Sequence, residues 1–537
     1  MQALPQDVLV LVLRHVDQAE RLSSCALVSN AWAEAAVVAS DAINIRTDDT
    51  DLFMPWLQHH GSHVTKFTCA CEGHREDKEL FSMLPCSNLL DLTVNGWEVC
   101  LKTRYGSGGI LRVATGLTKL QLNLENQEDL VSGFPSLTAL HALPALQHFD
   151  LSVQQAVDEY EPDDADALPS CVISGLTTLT RLELQGVLAL ESLQPFSCLT
   201  KLQHLNLDLD LGVEDTAEAV QSGQQPFKQL QALTHLSMHL LDCKLVSTSS
   251  SPAFSGCTAL QELHLYRALV DASAFQGLTG LRVLELFVGS VVERAAVSGV
   301  AALLRHIASM QQLQRLVLEM DPAGALVALR GGDAELCRGV TASPHLTCMD
   351  LTGVLLPRSA WVHLFPPGLR LQQLHGFAVR FNAPSWPFEA SHLFDCSALE
   401  QLVDCCPAIT CLTFPNLSLF KQDVSLVPLL RLQQLAQLEG PYVVDGAVSV
   451  GVLARLSSLT SLHLYAVPGL TDVGLLQLTA LTGLQELGVM LEDNTGIPSR
   501  NHSLSFLEGG HRSNFQVSRL AGLHALRMVT MCTATAR

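Results

Sequence analysis

The chain has 537 residues, with 32 lysines and arginines against 53 aspartates and glutamates, a net charge of −21. Leucine occupies 99 positions, and 48% of residues are hydrophobic against 16% charged, which excludes wholesale disorder and provides for a large core. Eight lysines and no basic run argue against nucleic acid as a partner, because neutralising phosphates takes clustered cations.

No run reaches the roughly 18 apolar residues of a membrane helix, so no membrane partner is expected. The aliphatic stretch Val8 to Leu13 has no basic residue before it and does not read as a secretory signal. The sixteen cysteines are scattered without a disulfide-like framework. Reduced thiols in the cytoplasm and/or nucleus are the expectation.

The first forty residues differ in character from the rest. Leu4-Pro5-Gln6-Asp7 opens onto the dense aliphatics Val8 to Leu13, followed by Val16. Pro5 and Asp7 suit a helix start. A helix this apolar needs burial on two sides, one against its own domain and one against something else. Leu22, Leu27, Val28 and Trp32 then fit two further short helices. The segment resembles the F-box, a small all-α trihelical module that opens with Leu-Pro and closes with Val-x-x-x-Trp. The resemblance falls on Leu4, Pro5, Asp7, Val8, Leu9, Val12, Leu13, Val16, Leu27, Val28 and Trp32. It implies docking onto a Skp-family adaptor and, through it, a cullin. All of these positions except Asp7 are the expected adaptor-binding residues. A helical cap on the end of a repeat stack remains the plainer alternative.

From Val64 onward one pattern recurs, L-x-x-L-x-L, usually with another apolar residue three places earlier. Clear copies are Leu176 to Leu184, Leu199 to Leu207, Leu278 to Leu286 and Leu456 to Leu464. The sixteen intervals between Val64 and Leu523 average about 29 residues. The alternating L-x-L makes a short strand with one buried face, and a unit this small buries that face only by stacking on its neighbours. Return segments vary. Leu470 to Leu481 has helical spacing after a Thr-Asp start, whereas Ser247 to Ser255 reads as a loop. Pro322 to Pro344, Arg358 to Asp395 and Glu492 to Val517 look irregular.

The repeats resemble the leucine-rich-repeat family, implying an α/β solenoid with short parallel strands on a concave face and helices or loops behind. The family's asparagine after the strand is largely missing, with Val187, Asp210, Gly289, Asp321 and Val467 in its place, so a side-chain ladder built on it is not expected. The expected organisation is residues 1–40 as the F-box-like domain and 41–537 as the solenoid.

Enzymatic constellations are sparse. There is no Gly-Lys dipeptide, no H-E-x-x-H and no G-x-S-x-G. Tyr105 to Gly109 reads as a surface loop. Cys69, Cys71 and His74 make half a zinc site at most, and no metal or other cofactor is expected. The six carboxylates between Asp158 and Asp166 read as a solvated excursion.

The positions two, four and six places after each anchor leucine face outward from the strands. They include His204, His235, His239, His264, Tyr266, Glu285, Phe287, His463 and Tyr465. Four imidazoles on three successive turns beside carboxylates and aromatic rings form the candidate target-binding surface. Together the two resemblances imply a substrate-recognition subunit of an SCF-type ubiquitin ligase, not itself an enzyme, holding a protein target of unknown identity. The alternative is a repeat scaffold that never joins a ligase.

Overall fold

Strict alternation of buried and half-buried side chains is what stacks this chain into sheets. In Lys119-Leu-Gln-Leu-Asn-Leu124 every leucine is shielded while the residues between them are partly open to solvent. The computed structural model describes residues 4–25, 28–46, 56–70, 88–96, 114–124, 137–154, 168–187, 190, 193–209, 226–240, 244–245, 253–266, 269–270, 272–288, 296–320, 327–328, 331–379, 394–414, 425–440, 446–465, 476–491 and 528–533. The chain divides into two compact units, Met1–Leu260 and Gln261–Arg537.

The first unit begins with three helices, α1 (Gln6–Leu13), α2 (Gln18–Ser23) and α3 (Asn30–Ala39). Asp17 caps α2 by accepting from the Ala19 and Glu20 amides at 2.9 and 3.4 Å, and Ser29 caps α3 through the Trp32 amide. Leu9 and Leu13, one helical turn apart on α1, pack against Ala35, Ala36 and Ala39, whose small side chains let the two helices approach closely. Val10, Val16, Cys25 and Trp32 close this core at its margin. Arg21, only 8% exposed, ties the helices together by donating to the Ala39 and Val16 carbonyls at 2.8 and 2.9 Å.

Eight parallel strands follow. They are β1 (Ala42–Arg46), β2 (Lys66–Ala70), β3 (Asp91–Asn95), β4 (Lys119–Leu124), β5 (His148–Val153), β6 (Arg181–Val187), β7 (His204–Leu209) and β8 (His235–Leu240). Each pairs with the next in one continuous register, broken by a bulge at Gln185/Val187. At that bulge Gly186 takes φ +66, and a Cβ there would sit 2.2 Å from the Val153 carbonyl oxygen, so no other residue fits. Short helical segments such as Thr138–Ala142, Ser170–Ser174 and Gln194–Cys198 carry the chain back behind the sheet, which keeps consecutive strands parallel. The anchor leucines Leu179, Leu182 and Leu184, with their counterparts Leu202, Leu205 and Leu207, are wholly buried.

A threonine ladder runs just ahead of the strands, away from the asparagine position that follows them. Thr118 Oγ1 donates to the Leu90 carbonyl at 2.9 Å, Thr180 Oγ1 to Gln147 at 3.2 Å, and Thr234 Oγ1 to Gln203 at 2.9 Å. Each threonine follows an anchor residue and bridges one turn to the turn before it. Thr347, Thr410 and Thr460 do the same in the second unit, at 2.9, 3.2 and 3.1 Å.

Among its described residues the second unit holds ten strands of the same kind, three to six residues long, from Glu262–Tyr266 through Val283–Val288, Arg315–Met320 and Cys348–Asp350 to Met528–Thr533, each parallel to the next. Behind them lie helices Ala296–Ile307, Arg358–Leu364, Cys396–Cys405 and Gly446–Leu453. The interval Arg358 to Asp395, irregular by sequence, contains one of these helices and the strand Gly376–Ala378. Trp361, Phe365, Phe377 and Phe394 pack edge to face there and fill the space behind the shortest strands. Of the helical return expected over Leu470 to Leu481, the described part is α-helical at Leu476 and Gln477 and runs into a 3-10 turn at Leu478–Ala480.

Each unit is thus a stack of leucine-rich repeats of the α/β solenoid class. Among the described residues no helix is long and apolar enough to cross a membrane, and the described cysteines are free thiols.

Candidate protein-interaction surfaces

Helix α1 is apolar all round and is therefore divided between two faces. Leu9 and Leu13 point into the trihelical core, 4% and 0% exposed, which corrects their assignment as docking residues: a fully packed side chain has no surface to offer. Val16 and Trp32 are half-buried against the same core. Leu4, Val8 and Val12 lie outside it, joined by Val28, with exposures from 39% at Val8 to 63% at Val28. Pro5 is exposed beside them. Leu11, absent from the sequence-derived set, belongs here at 59%. On the helix, 8, 11 and 12 form the outward stripe and 9 and 13 the inward one, while Leu4 lies just ahead of the helix start. Leu27 lies outside the described residues.

The outward positions of the strands fall where the repeat spacing puts them. In the first unit His204 and His235 occupy the same register position on β7 and β8, with ring centroids 4.9 Å apart. His204 Nε2 lies 3.7 Å from Glu183, and His239 Nδ1 lies 2.6 Å from Asp208 Oδ1. Asp150, one strand from Glu183 in the same row, has its pKa raised, first by burial and then by the Glu183 charge.

In the second unit the Glu285 carboxylate is the hub. It is 7% exposed, accepts from His264 Nδ1 at 2.7 Å and Tyr266 Oη at 3.4 Å, and its other oxygen takes the Arg315 guanidinium. Burial alone would raise its pKa, but the hydrogen bonds from Arg315 and His264 outweigh that and hold the carboxyl below its ordinary value. The Tyr266 hydroxyl is pushed the opposite way, by burial and by the Glu285 charge. Tyr266 and Phe287 stand side by side on neighbouring strands and stack. Arg315 was not among the sequence-derived candidates; it is the second residue after the anchor Leu313, so the repeat spacing does point to it.

His463 Nε2 lies 3.3 Å from Glu486 on the next strand. The Tyr465 side chain, Cys71 with His74, the Tyr105 to Gly109 loop and the Asp158 to Asp166 carboxylates lie outside the described residues. Cys69 is buried on β2, packed as a small apolar side chain. Histidine–carboxylate pairs and a stacked aromatic pair on a sheet face can hold a polypeptide by hydrogen bonds and ring contacts.

No protein-family model matches this chain, and no curated protein matches it in sequence. Among solved structures it is similar to an internalin of Listeria monocytogenes, at 13% identity and a TM-score of 0.31, with 89% of each chain covered. It is also similar to the ectodomain of the Arabidopsis thaliana receptor kinase GASSHO1/SCHENGEN3, at 16% identity and a TM-score of 0.35, over 87% of this chain and 52% of the other. A third is Toll in the Drosophila Toll–Spatzle complex, at 12% identity and a TM-score of 0.38, over 80% and 46%. The chain thus spans about half the length of the last two.

Proposed function

We propose that this protein is the substrate-recognition subunit of an SCF-type ubiquitin ligase, working in the cytoplasm and/or nucleus. Its first forty residues dock a Skp-family adaptor, which leads to a cullin, and the outward face of its strands holds a protein target. The chain itself is non-catalytic in this reading. It contributes proximity, holding the target at high effective concentration beside the ubiquitin carrier.

One observation carries the adaptor half. The trihelical module has a complete core of its own, yet Leu4, Val8, Leu11, Val12 and Val28 remain on its outside. Exposed aliphatic side chains gathered on one small module mark an interaction surface. The sequence resemblance to the F-box names the partner class.

The test is capture of purified Skp-type adaptor by the full chain and by Val8→Asp plus Val12→Asp. Both side chains are exposed, so the variant keeps its core, which an unchanged melting midpoint verifies. Capture by the parent and loss of at least about 100-fold in the variant is the expected result, given several kcal/mol of apolar burial forfeited at two positions. Absence of capture, or equal capture by the variant, leaves the second reading, a repeat scaffold that binds proteins outside any ligase.

A further inference from the structure

Strands β2 to β8 carry their lysines and arginine in one row. Reading across the sheet, the first outward position of β2 to β8 is Lys66, Asp91, Lys119, His148, Arg181, His204 and His235. The chain has eight lysines in all, and two of them plus an arginine stand here on alternate strands, β2, β4 and β6. Their side chains project, being 52%, 39% and 51% exposed. The carboxylates beside them are recessed, Asp91 at 21% between the two lysines and Glu183 at 13%, two residues after Arg181 on β6. Asp91 brackets both lysines at 3.3 and 4.0 Å, and Glu183 holds Arg181. The acids therefore fix the cationic heads in place without covering them.

The next two rows are mostly uncharged hydrogen-bonding groups. The second holds Thr68, Thr93 and Gln121 ahead of Asp150 and Glu183, and the third holds Asn95, Asn123, Ser152 and Gln185. Asn123 Nδ2 donates to Asn95 Oδ1 at 2.5 Å, a side-chain amide chain running across the strands. Such an array suits the main chain of an extended polypeptide, which offers a donor and an acceptor at every residue.

The spacing selects the conformation of that polypeptide. Alternate strands lie about 9.5 Å apart. A polyproline II helix rises about 3.1 Å per residue with three residues per turn, so every third side chain points the same way at about 9.3 Å. A β-strand repeats on one side at about 6.8 Å and falls out of step.

We infer that this face receives an acidic, polyproline II-like segment of a partner protein, with a carboxylate at every third residue meeting Lys66, Lys119 and Arg181 in turn. This deepens the reading of the strands' outward face as the target-binding surface and is independent of the adaptor. The chain's overall negative charge opposes an acidic partner only weakly at contact range, because salt screens charges beyond about 8 Å.

The test uses fluorescein-labelled twelve-residue peptides and the full chain, read by fluorescence anisotropy. The (Glu-Pro-Pro) repeat should bind. A block peptide of the same composition, with its glutamates contiguous, should bind at least about tenfold more weakly, as should the (Lys-Pro-Pro) repeat. Lys66→Gln plus Lys119→Gln should cost the repeat peptide about tenfold, since each exposed ion pair contributes a severalfold change at most. Failure of the repeat peptide to bind, equal binding of the block peptide, preference for the basic peptide, or indifference to the double substitution each overturns the inference. Adaptor capture measured on the same protein separates this outcome from failure of the ligase reading.

Discussion

Tyr266 and Phe287 lie face to face on adjacent strands, with ring centroids 4.5 Å apart and planes 12° from parallel. The Tyr266 hydroxyl leans onto Glu285, so the stack is attached to the ion-paired hub beside it. A ring pair of this kind contributes about 0.5–1.5 kcal/mol beyond its buried area. It also comes to a partner already ordered, with little rotamer entropy left to lose.

The hub gives the second unit an acid-sensitive element. Because the folded Glu285 carboxyl sits below its ordinary 4.5, its contribution is complete above that value and disappears as pH falls through the lowered folded value. Glu285→Gln is expected to cost about 1–3 kcal/mol at pH 7 and to flatten the acid limb of the melting midpoint against pH. Differential scanning calorimetry from pH 7 down to pH 3 checks both. An acid limb identical to that of the parent would show that the network adds nothing to folding.

Arg21 is the corresponding element of the trihelical module. Its nearly buried guanidinium serves two carbonyls and lies 3.4 Å from Ser40 Oγ, and burial holds its pKa below the ordinary arginine value. Arg21→Met removes the donors and is expected to destabilise the module by about 2–3 kcal/mol. Arg21→Lys recovers only part of this, because one ammonium lacks the planar fork that reaches both carbonyls. Limited proteolysis followed by mass spectrometry should show cleavage within the first forty residues ahead of the repeats. Equal resistance in parent and variant would count against this role.

The threonine ladder predicts a smaller and additive effect. The Leu90 carbonyl accepts from the Thr118 hydroxyl and from the Thr118 and Lys119 amides, so losing the hydroxyl does not leave it bare. Thr118→Val should therefore cost only about 0.5–1 kcal/mol. Thr118→Val with Thr234→Val should cost the sum, since three strands, β5 to β7, lie between theirs. Urea unfolding measures both, and a double variant far below the sum would mean the ladder acts as one cooperative network.

Period-two alternation made the strands legible, because one buried side chain in two is a local property of the sequence. The outward positions of His204, His239, Tyr266 and Phe287 followed from the same count. The division of α1 was not legible: Val8, Leu9, Val12 and Leu13 are chemically alike, and only packing against Ala35, Ala36 and Ala39 decides which of them turn inward. The junction of Glu285 with Arg315 depends on register between strands thirty residues apart, which no single repeat encodes. The ladder was not legible, because the family pattern marks an asparagine after the strand, whereas the residue that bridges the turns is the threonine before it.

Because each turn is hydrogen-bonded to its immediate neighbours, a genetic exchange that drops or duplicates a whole turn leaves the interior intact. Its effect on the outside is abrupt. Loss of the turn bearing Asp91 would set Lys66 directly against Lys119, converting a spaced row bridged by one carboxylate into a repelling doublet. What this surface recognises is thus rewritten by changing how many turns there are, with no substitution at any contact residue.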